Sequence, residues 1–380
     1  MHTVNPTVKI FLAGDCMPAR GIDQILPHPG DSRLYEAYVK DAGDYVQLAE
    51  QCNGPIPRAV DYAYVWGVAL QALQQRHPDV RLINLETAIT ASDQPAPKGI
   101  NYRLNPANLQ LLKVANIDCC SLANNHVLDW GETGLIDTLR TLSAHDLHYA
   151  GAGLNRSKAE APAILPLPGG RRLLVFALGT LDSGIAAGWA ADKHHAGVAL
   201  LEDLSPRTLR ALALRIRDWK QADDRVVVSI HWGGNWGFTI AAQQVRFAHG
   251  LIDEAGVDLL HGHSSHHIKG IEVYKQRLIL YGCGDLLDDY EGIGGYRAYR
   301  SDLGFLYFAE LDSHGRLMAL ELLPIRQQRL HIQHAEGPDR QWLLHTLNRE
   351  SARFNCRLAV SEMDHGRSFS LRWPTAGTPA

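Results

Sequence analysis

The chain is predicted to fold as an α/β protein, because short apolar segments alternate with amphipathic segments along most of its length. Seven segments are short and rich in β-branched residues, as strands are, and these are Lys9–Ala13, Val80–Leu85, Ile117–Leu122, Arg172–Ala177, Arg225–Ile230, Val257–Leu260 and Arg277–Tyr281. The segments with helical periodicity between them are Val65–Arg76, Gly134–Ala144, Pro206–Gln221 and Ala241–Glu254. Strands that alternate with helices favour βαβ units and a largely parallel sheet with helices on its faces.

The C-terminal part of the chain is predicted to continue this pattern. Arg316–Leu323 and Arg329–Gln333 have the character of late strands, and Asp339–Phe354 that of a final helix. The sequence contains no internal repeat, low-complexity linker or charge block that would mark a domain boundary. We therefore expect residues 1–330 to form one domain and residues 331–380 to form a helix-and-strand extension packed on it.

Composition narrows the range of partners and functions. The net charge of −4 gives no overall basic field that would attract nucleic acid. Met1–Thr7 has no basic leader character, and no segment has the roughly 20 apolar residues that a membrane span needs. The six cysteines form no CxxC pair and are expected to be reduced thiols. Together these features predict a cytoplasmic protein without a membrane anchor. The 19 histidines favour a metal or acid–base site over a histidine-rich surface.

Polar residues stand directly after five of the predicted strands, and this placement is the main functional signal in the sequence. They are Asp15 after the first strand, Asn84 and Glu86 at the end of the second, Asn124-Asn125-His126 after the third, His231 after the fifth, and His261-Gly262-His263 after the sixth. In an open α/β sheet, ligands bind beyond the carboxyl ends of the strands. We therefore expect these side chains to converge on one cleft.

Two carboxylates in this set are candidate metal ligands. Asp15 follows a buried strand, where it could hold a cation or, alternatively, cap a helix. Glu86 shares one face of an extended segment with Asn84, since side chains alternate along a strand. Glu86 could bridge two ions or act as a base, whereas Asn84 could simply cap backbone groups at the end of the strand.

The segment from Ala123 to Gly131 is the most specific of the set. The amide oxygen of Asn125 is a hard ligand, and His126 beside it could protonate a leaving group. Asp129 could orient His126 in a carboxylate–histidine pair, or it could only cap the helix that follows. We expect His126 to be functional under either interpretation of Asp129.

The remaining histidines lie at two strand ends. His231 is interpreted as a metal ligand beside a substrate wall formed by Trp232 and Trp236, although a lone histidine at a strand end is more often structural. The turn Gly262–His266 supplies His263 and His266 to one cleft. His261 and His267 are expected to face away, because neighbours in an extended chain alternate sides.

These segments together resemble the CapA family, named for capsular poly-γ-glutamate synthesis and a branch of the calcineurin-like metallophosphoesterase superfamily. The matching segments are Gly14-Asp15-Cys16-Met17, Asn84-Leu85-Glu86-Thr87, Ala123-Asn124-Asn125-His126 with Asp129 and Gly131, His231-Trp232-Gly233, Gly262-His263 with His266, Ile271-Glu272-Val273-Tyr274, and Tyr281-Gly282-Cys283-Gly284-Asp285. Their order and spacing match over roughly residues 8–290.

The resemblance implies a four-layer α/β/β/α sandwich of the metallo-dependent phosphatase type. It also implies a divalent transition metal, one or two ions of manganese, iron or zinc. The implied ligands are Asp15 and His266 for one ion, Asn125, His231 and His263 for a second, and Glu86 in the bridging place. His126 would be the acid beside the leaving group. Two adjacent ions can activate a water and hold the displaced oxygens.

Two positions depart from the phosphoesterase pattern. Met17 stands where the histidine of an Asp-x-His motif is usual, and Asn84 and Glu86 stand where a Gly-Asp motif usually supplies the bridging aspartate. Both changes weaken the first metal site, so the sequence is compatible with a single ion. Many members of the family are membrane-anchored, and this chain is expected to lack an anchor.

The first functional hypothesis is a metal-dependent hydrolase of a phosphoester or of a peptide or γ-glutamyl amide, linked to poly-γ-glutamate or capsule metabolism. Its substrate would be a small molecule or peptide, anionic in character. Candidate substrate contacts are Asn84, Asn124, Arg20, Arg103, Trp232 and Trp236. The two arginines could bind an anion through forked hydrogen bonds, or be surface residues.

Two other hypotheses keep the cleft and change its use. An Asp–His pair could move a proton at a peptide Cα, giving an epimerase or another peptide-tailoring enzyme with little dependence on metal. The degraded Asp-x-His motif favours this alternative. A non-catalytic accessory subunit of polymer synthesis would retain the cleft only to bind. The sequence specifies neither the substrate nor the oligomeric state.

Overall fold

The chain is a mixed α/β protein with two main sheets, and its computed structural model describes residues 7–362, 364 and 366–374. The strands are β1 (Val8–Cys16), β2 (Val80–Leu85), β3 (Ala88–Ile89), β4 (Arg103–Leu104), β5 (Cys119–Ser121), β6 (His148–Ala150), β7 (Ala152–Gly153), β8 (Ala163–Pro166), β9 (Arg172–Thr180), β10 (Gly197–Val198), β11 (Leu200–Leu201), β12 (Arg225–His231), β13 (Leu259–His263), β14 (Ile271–Tyr274), β15 (Arg277–Leu280), β16 (Asp285–Leu287), β17 (Leu303–Leu311), β18 (Leu317–Gln328), β19 (His331–His334), β20 (Arg357–Val360) and β21 (Phe369–Arg372). The α-helices are α1 (Gly21–Ile25), α2 (Gly43–Asn53), α3 (Ala63–Trp66), α4 (Val68–Arg76), α5 (Gln110–Val114), α6 (Gly131–Ala144), α7 (Arg156–Ala159), α8 (Pro206–Trp219), α9 (Ala242–Ala255) and α10 (Gly337–Ser351). None of the helices in these ranges is long and apolar enough to cross a membrane.

The first sheet has ten strands, in the order β20-β21-β18-β17-β1-β2-β5-β6, with β16 paired to β1 and β19 paired to β18. Its centre is parallel, because β1, β2, β5 and β6 run in the same direction. Strand β17 pairs antiparallel with β1, and β18 pairs antiparallel with β17. The expected largely parallel sheet is therefore wrong for this half of the molecule. After β16 the chain reverses direction, so β17 lies antiparallel to β1, and the hairpins β17–β18 and β18–β19 add further antiparallel pairs.

The second sheet has seven strands, in the order β11-β9-β12-β13-β15-β14, with β8 paired to β9. Strand β9 separates two apolar cores, because its side chains alternate. Leu173, Val175 and Ala177 join the core that includes the first sheet, whereas Leu174, Phe176 and Leu178 join a core with α8 and α9. Both faces of this sheet are buried, which explains why its central strands are continuously apolar in the sequence.

Helix α8 shows how local sequence signals place the outer layer. Ser205 caps the helix by accepting a hydrogen bond from the Thr208 N–H at 3.3 Å, and Pro206 occupies the first helical position. The residues it buries against the second sheet are Leu209, Leu212, Ala213 and Ile216. Their spacing of three and four residues gives the helix one apolar face.

The predicted helix Val65–Arg76 is divided into α3 and α4 at Gly67. Gly67 has a φ of 44°, and a Cβ at this position would lie 2.0 Å from the carbonyl oxygen of Ile332. The backbone of β19 therefore approaches too closely for any residue except glycine. The helical periodicity of the sequence continues through Gly67 and does not reveal this long-range contact.

Replacing Gly14 with alanine is expected to destabilise the protein by about 1–3 kcal/mol or more, as overpacking does. An added Cβ would lie 1.8 Å from the carbonyl oxygen of Gly284, which accepts the Asp15 N–H at 3.0 Å. The substitution would therefore push β1 away from β16. Urea unfolding measures the loss. Gly188→Ala is the matched control, since its Cβ meets nothing within 4 Å, and an equal effect of both substitutions would contradict the prediction.

Candidate functional site

Neighbouring strand ends bring the polar residues together at one edge of each sheet. In the first sheet, Asp15 of β1 is in register with Asn84 of β2 on one side and with Asp285 of β16 on the other. In the second sheet, His231 and His263 are in register at the ends of β12 and β13. The imidazole Nε2 of His261 contacts the carbonyl oxygen of Ala13 at 2.8 Å, which joins the two edges.

A first cluster consists of Asp15, His231 and His263. One potential ligand atom from each lies within 4.8 Å of the other two. Asn125 adds an amide oxygen 3.1 Å from His231 Nε2. Burial lowers the pKa of both His231 and His263 well below the usual range. Both rings are therefore neutral at pH 7, the state in which imidazole binds a metal.

A second cluster shares Asp15 with the first and adds His266 and Asp285, again with ligand atoms within 4.8 Å of one another. His266 Nδ1 lies 3.0 Å from the Asp285 carboxylate. Burial lowers the pKa of His266, but the charge of Asp285 and its hydrogen bond outweigh burial and raise that pKa to about 9. Asp15 is therefore the side chain through which the two clusters are connected.

Glu86 lies beside both clusters. Its Oε1 is 3.8 Å from His231 Nε2 and 3.9 Å from His126 Nε2. Burial, followed by the charge of Asp15, raises the pKa of Glu86 well above its usual range. Burial and the charge of Asp285 likewise raise the pKa of Asp15 to about 7. Buried carboxylates held this close are unfavourable unless a cation or a proton compensates them.

The donor set fits a divalent transition metal. Asp15 Oδ2 and Glu86 Oε2 are buried, and neither oxygen has a hydrogen-bond donor among the other described residues, although the two carboxyl groups lie close enough to share a proton with each other. Unsatisfied buried carboxylate oxygens are rare in folded proteins and call for a partner. Carboxylates, neutral imidazoles and one amide oxygen are ligands that manganese, iron and zinc accept, and His266, with its pKa of about 9, would release a proton when it binds a metal. The residues present therefore suit the metal that the sequence predicted.

His126 forms a hydrogen-bonded pair with Asp129. The distance from His126 Nδ1 to Asp129 Oδ2 is 2.6 Å, and the same oxygen accepts the Tyr102 N–H at 2.7 Å. The ring of Tyr102 stacks on the imidazole at 3.8 Å. Burial lowers the pKa of His126 to about 4, against the opposing charge of Asp129. The alternative of Asp129 as a helix cap is wrong, because α6 begins after Trp130 without a side-chain cap.

A cleft of about 970 Å³ opens beside these groups. Asn125, His126 and His266 lie on its wall, and Trp236 lines it with Tyr296, whose ring stacks on the indole at 4.2 Å. This volume is at the upper end of the range for small-molecule sites, so the cleft has room for a ligand of several units. Of the two tryptophans predicted to form an aromatic substrate wall, Trp232 and Trp236, Trp236 lines the cleft.

Asn84 and Asn124 are completely buried and position the site residues. Asn84 donates a hydrogen bond to Asp15 Oδ1 at 2.7 Å, and Asn124 donates to Asn84 Oδ1 at 3.1 Å. The Asn124 oxygen in turn accepts the backbone N–H of His126 at 3.1 Å. The expectation that these two asparagines contact substrate is therefore corrected, because neither amide reaches the cleft wall.

Three other residues that were predicted to contact substrate instead bind other groups of the protein. Arg20 lies at the cleft wall, but Asp289 and Glu36 bind its buried guanidinium on both sides. The predicted contacts Arg103 and Trp232 lie away from the cleft. Arg103 donates to two backbone carbonyl oxygens and packs over an indole ring at 3.9 Å. The Trp232 indole is 1% exposed and donates to a backbone carbonyl oxygen at 3.0 Å.

His261 does not face away from the cluster. His261 and His263 are two positions apart in β13, and residues at this spacing share a face of the strand. Both rings contact the hydroxyl of Ser229, at 3.1 Å and 2.9 Å. His261 therefore supports His263 from behind. His267, as expected, points elsewhere, with its ring stacked on Tyr299.

Asp285 and Lys98 were not among the predicted site residues. Asp285 lies four residues after the predicted strand Arg277–Tyr281, at the end of the segment Tyr281-Gly282-Cys283-Gly284-Asp285 that resembles the family, and this resemblance is the signal that could have identified it. Lys98 lies in a loop, and the sequence around it carries no comparable signal. Met17 packs against Ala19 and Tyr102 in a small apolar cluster. Asp285 thus places a carboxylate beside Asp15, a kind of group that Met17 does not offer.

Comparison with known proteins agrees with the motifs that form this site. The sequence profile of the bacterial capsule synthesis protein PGA_cap matches residues 9–290. A Mycobacterium tuberculosis protein named "Probable polyglutamine synthesis accessory protein" is 44% identical over 360 residues, 94% of each chain. A Plasmodium structure titled as the anchor in the inner membrane complex covers 87% of this chain and 89% of its own, with 10% identity and a TM-score of 0.35, too low to support an argument.

Two relatives from bacilli are more distant. The capsule biosynthesis protein CapA of Bacillus anthracis is 30% identical over 76% of this chain and 61% of its own. The PGA biosynthesis protein CapA of Bacillus subtilis is 27% identical, over 82% of this chain and 70% of its own. The profile match covers all the residues of both histidine–carboxylate clusters. The chain therefore belongs to the PGA_cap family of bacterial capsule synthesis proteins, which includes the CapA proteins.

Proposed function

We propose that the protein is a metal-dependent hydrolase that serves the synthesis of a γ-glutamate-type or other capsule polymer, acting on a phosphoester or on a peptide or γ-glutamyl amide. We further propose that the described residues up to 330 adopt the four-layer α/β/β/α arrangement of metallo-dependent phosphatases and that the described residues from 331 to 374 pack on them as an extension; residues 1–6, 363, 365 and 375–380 of the two predicted units lie outside the described residues. The single observation that carries the proposal is the pair of buried carboxylates, Asp15 and Glu86, with an unpartnered oxygen each. They lie near His231 and His263, whose rings are neutral at pH 7, and the cleft of about 970 Å³ opens beside them, with Asn125, His126 and His266 on its wall.

In this proposal the chain's own residues hold and move the proton. Asp129 accepts the Nδ1–H of His126, which leaves Nε2 as the basic nitrogen next to Glu86. With an amide substrate, His126 takes a proton at Nε2 from the attacking water and returns it to the leaving nitrogen. With a phosphoester, where the water and the leaving oxygen lie on opposite sides of phosphorus, His126 that has been protonated by solvent gives its proton to the leaving oxygen and the attacking water releases one to solvent, so the proton count balances in both cases. Asp129 stabilises the imidazolium that exists between these two transfers. A metal held by the two clusters would lower the pKa of a bound water and compensate charge on the substrate.

The second candidate function is a non-catalytic accessory subunit of polymer synthesis. It is favoured by the name of the Mycobacterium tuberculosis relative, which describes an accessory protein of polyglutamine synthesis. A screen of the purified, metal-loaded protein against phosphoesters and γ-glutamyl amides separates the two functions. Turnover abolished by a chelator and restored by manganese, iron or zinc supports the hydrolase. Metal binding without turnover of either substrate class supports the accessory subunit.

The epimerase alternative predicts a different result in the same screen. Deuterium would enter a peptide substrate from heavy water at Cα, and a chelator would leave this exchange unchanged. The hydrolase predicts no exchange at Cα, because its proton transfers involve only the water and the leaving group. Mass spectrometry of recovered peptide distinguishes these outcomes.

Replacing Asp285 with asparagine is expected to remove about one equivalent of bound metal per chain and to leave the other in place. Asp285 belongs only to the second cluster, whereas Asp15, His231 and His263 form the first without it. Elemental analysis of the purified variant gives the stoichiometry. Asp253→Asn, an exposed carboxylate paired with Lys275, is the control. Unchanged metal content in Asp285→Asn would rule out the second site.

A further inference from the structure

Lys98 lies on the cleft wall next to the reacting groups of the proposed hydrolase. Its Nζ is 2.9 Å from Asp129 Oδ1 and 3.4 Å from His126 Nδ1, and it donates a hydrogen bond to the backbone carbonyl oxygen of Asn125. The side chain remains 28% exposed. An ammonium has three N–H donors; one is used by the Asn125 carbonyl oxygen, and Asp129 Oδ1 is an ionic contact without a hydrogen bond, so N–H donors remain for a ligand in the cleft.

The position of Lys98 is fixed by surrounding groups. Its ammonium lies 5.2 Å from the centre of the Trp189 ring, within the range of a cation–π contact. Asp129, its ionic partner, is itself held by His126 and by the Tyr102 N–H. A charge held in this way needs little reorganisation when a ligand arrives, which is the property of groups that stabilise developing charge.

The other cations of the cleft are neutralised or lie on an exposed segment. Buried carboxylates pair with Arg20 on both sides. Arg300 and Arg326 each pair with Asp302 and Asp339. Arg297 has no ion-pair partner within the described part of the chain, but it lies in a short exposed segment and touches none of the cluster residues. Lys98 is therefore the cation that combines a fixed position with contact to His126.

We propose that Lys98 is a further catalytic residue, whose ammonium binds an anionic oxygen of the substrate beside His126. This inference rests on the proposed function, because it assigns the oxygen to the group that is hydrolysed in the same cleft. The ligand chemistry is an oxyanion, which either a phosphoryl group or a carboxylate provides. A charge-assisted hydrogen bond of this kind also becomes stronger as negative charge develops on the substrate oxygen.

Anion binding tests the inference directly. Inorganic phosphate and glutarate are titrated separately into the purified, metal-containing protein by calorimetry, one probe for each source of the oxyanion. Lys98→Met is expected to weaken binding of at least one probe by about tenfold or more, the minimum for losing a hydrogen bond to a charged group. Lys98→Arg is expected to retain most of the affinity. Lys158→Met, an exposed lysine on α7, is the matched control.

Metal content and circular dichroism are measured on the same samples, so that loss of folding or of metal is not mistaken for loss of the ammonium. Equal affinity of wild type and Lys98→Met for both probes would overturn the inference, as would failure of the wild type to bind either. If the wild type binds an anion through Lys98 but hydrolyses nothing, the proposed function fails and the anion site stands. If turnover is present and Lys98→Met leaves both affinity and kcat unchanged, only the inference fails.

Discussion

Replacing Asp15 with asparagine is expected to abolish metal binding at both clusters, with affinity lower by more than about 100-fold, the upper range seen for changes to residues that only support the ligands. Asp15 is the single residue shared by the Asp15–His231–His263 and Asp15–His266–Asp285 groups. Asparagine keeps the shape of the side chain and its contact with Asn84 but removes the charge. Elemental analysis after dialysis, followed by titration with manganese and zinc, measures the loss.

The stability of the metal-free Asp15→Asn variant distinguishes loss of the metal ligand from unfolding of the protein. Burial and the charge of Asp285 raise the pKa of Asp15 to about 7, above its value of 3.8 in an exposed setting. In metal-free protein, the ionised Asp15 therefore destabilises the fold increasingly as the pH rises from about 4 through 7. The metal-free Asp15→Asn variant is expected to be at least as stable as the metal-free wild type at pH 8. Retained metal in a folded Asp15→Asn protein would refute the shared site.

Replacing His126 with glutamine is expected to lower kcat by about 10²–10⁴-fold, the usual contribution of a positioned general acid or base. Glutamine removes the basic Nε2 next to Glu86, and neither metal cluster includes His126. Metal content is therefore expected to stay at the wild-type value while turnover is lost. Steady-state kinetics on the substrate found in the hydrolase screen measures the decrease.

The control for His126 is His145→Gln, which changes an exposed histidine after α6. Asp129→Asn is also expected to lower kcat, but by less than His126→Gln, because Asp129 acts only through the imidazole. A kcat in His126→Gln equal to that of His145→Gln would remove His126 from the reaction. Loss of metal in His126→Gln would instead reassign His126 to the metal centre.

The strand ends were predictable because β1, β2, β12 and β13 are short apolar segments that end at polar residues, and both features are visible in adjacent positions of the sequence. Strand β2 occupies the predicted range Val80–Leu85, and His231 and His263 are the last residues of their strands. Strand β17 was missed, although it pairs with β1 along most of its length. Its antiparallel pairing depends on the chain reversal after β16, and hydrophobic periodicity carries no information about such pairing.

The substrate contacts were the least predictable part of the site. Arg20 has the residue type that binds anions, and only the fold reveals that Asp289, 269 positions away, already neutralises it. Asn84 and Asn124 are likewise committed to contacts with residues distant in sequence. A polar side chain has the same donors and acceptors whether it faces a ligand or another residue, so its type alone cannot distinguish the two.

The sequence by itself determined the family and the α/β class, and it named Asp15, His231, His263 and His266 of the two clusters, because each of these follows from local patterns and from short motifs in a fixed order. Only the tertiary structure decided which of the polar residues share a site. It brought Asp285 beside Asp15 through the β1–β16 register and Lys98 beside the His126–Asp129 pair. These contacts join residues separated by 28 or more positions, and a metal or anion site depends on distances in space, which the order of residues along the chain does not specify.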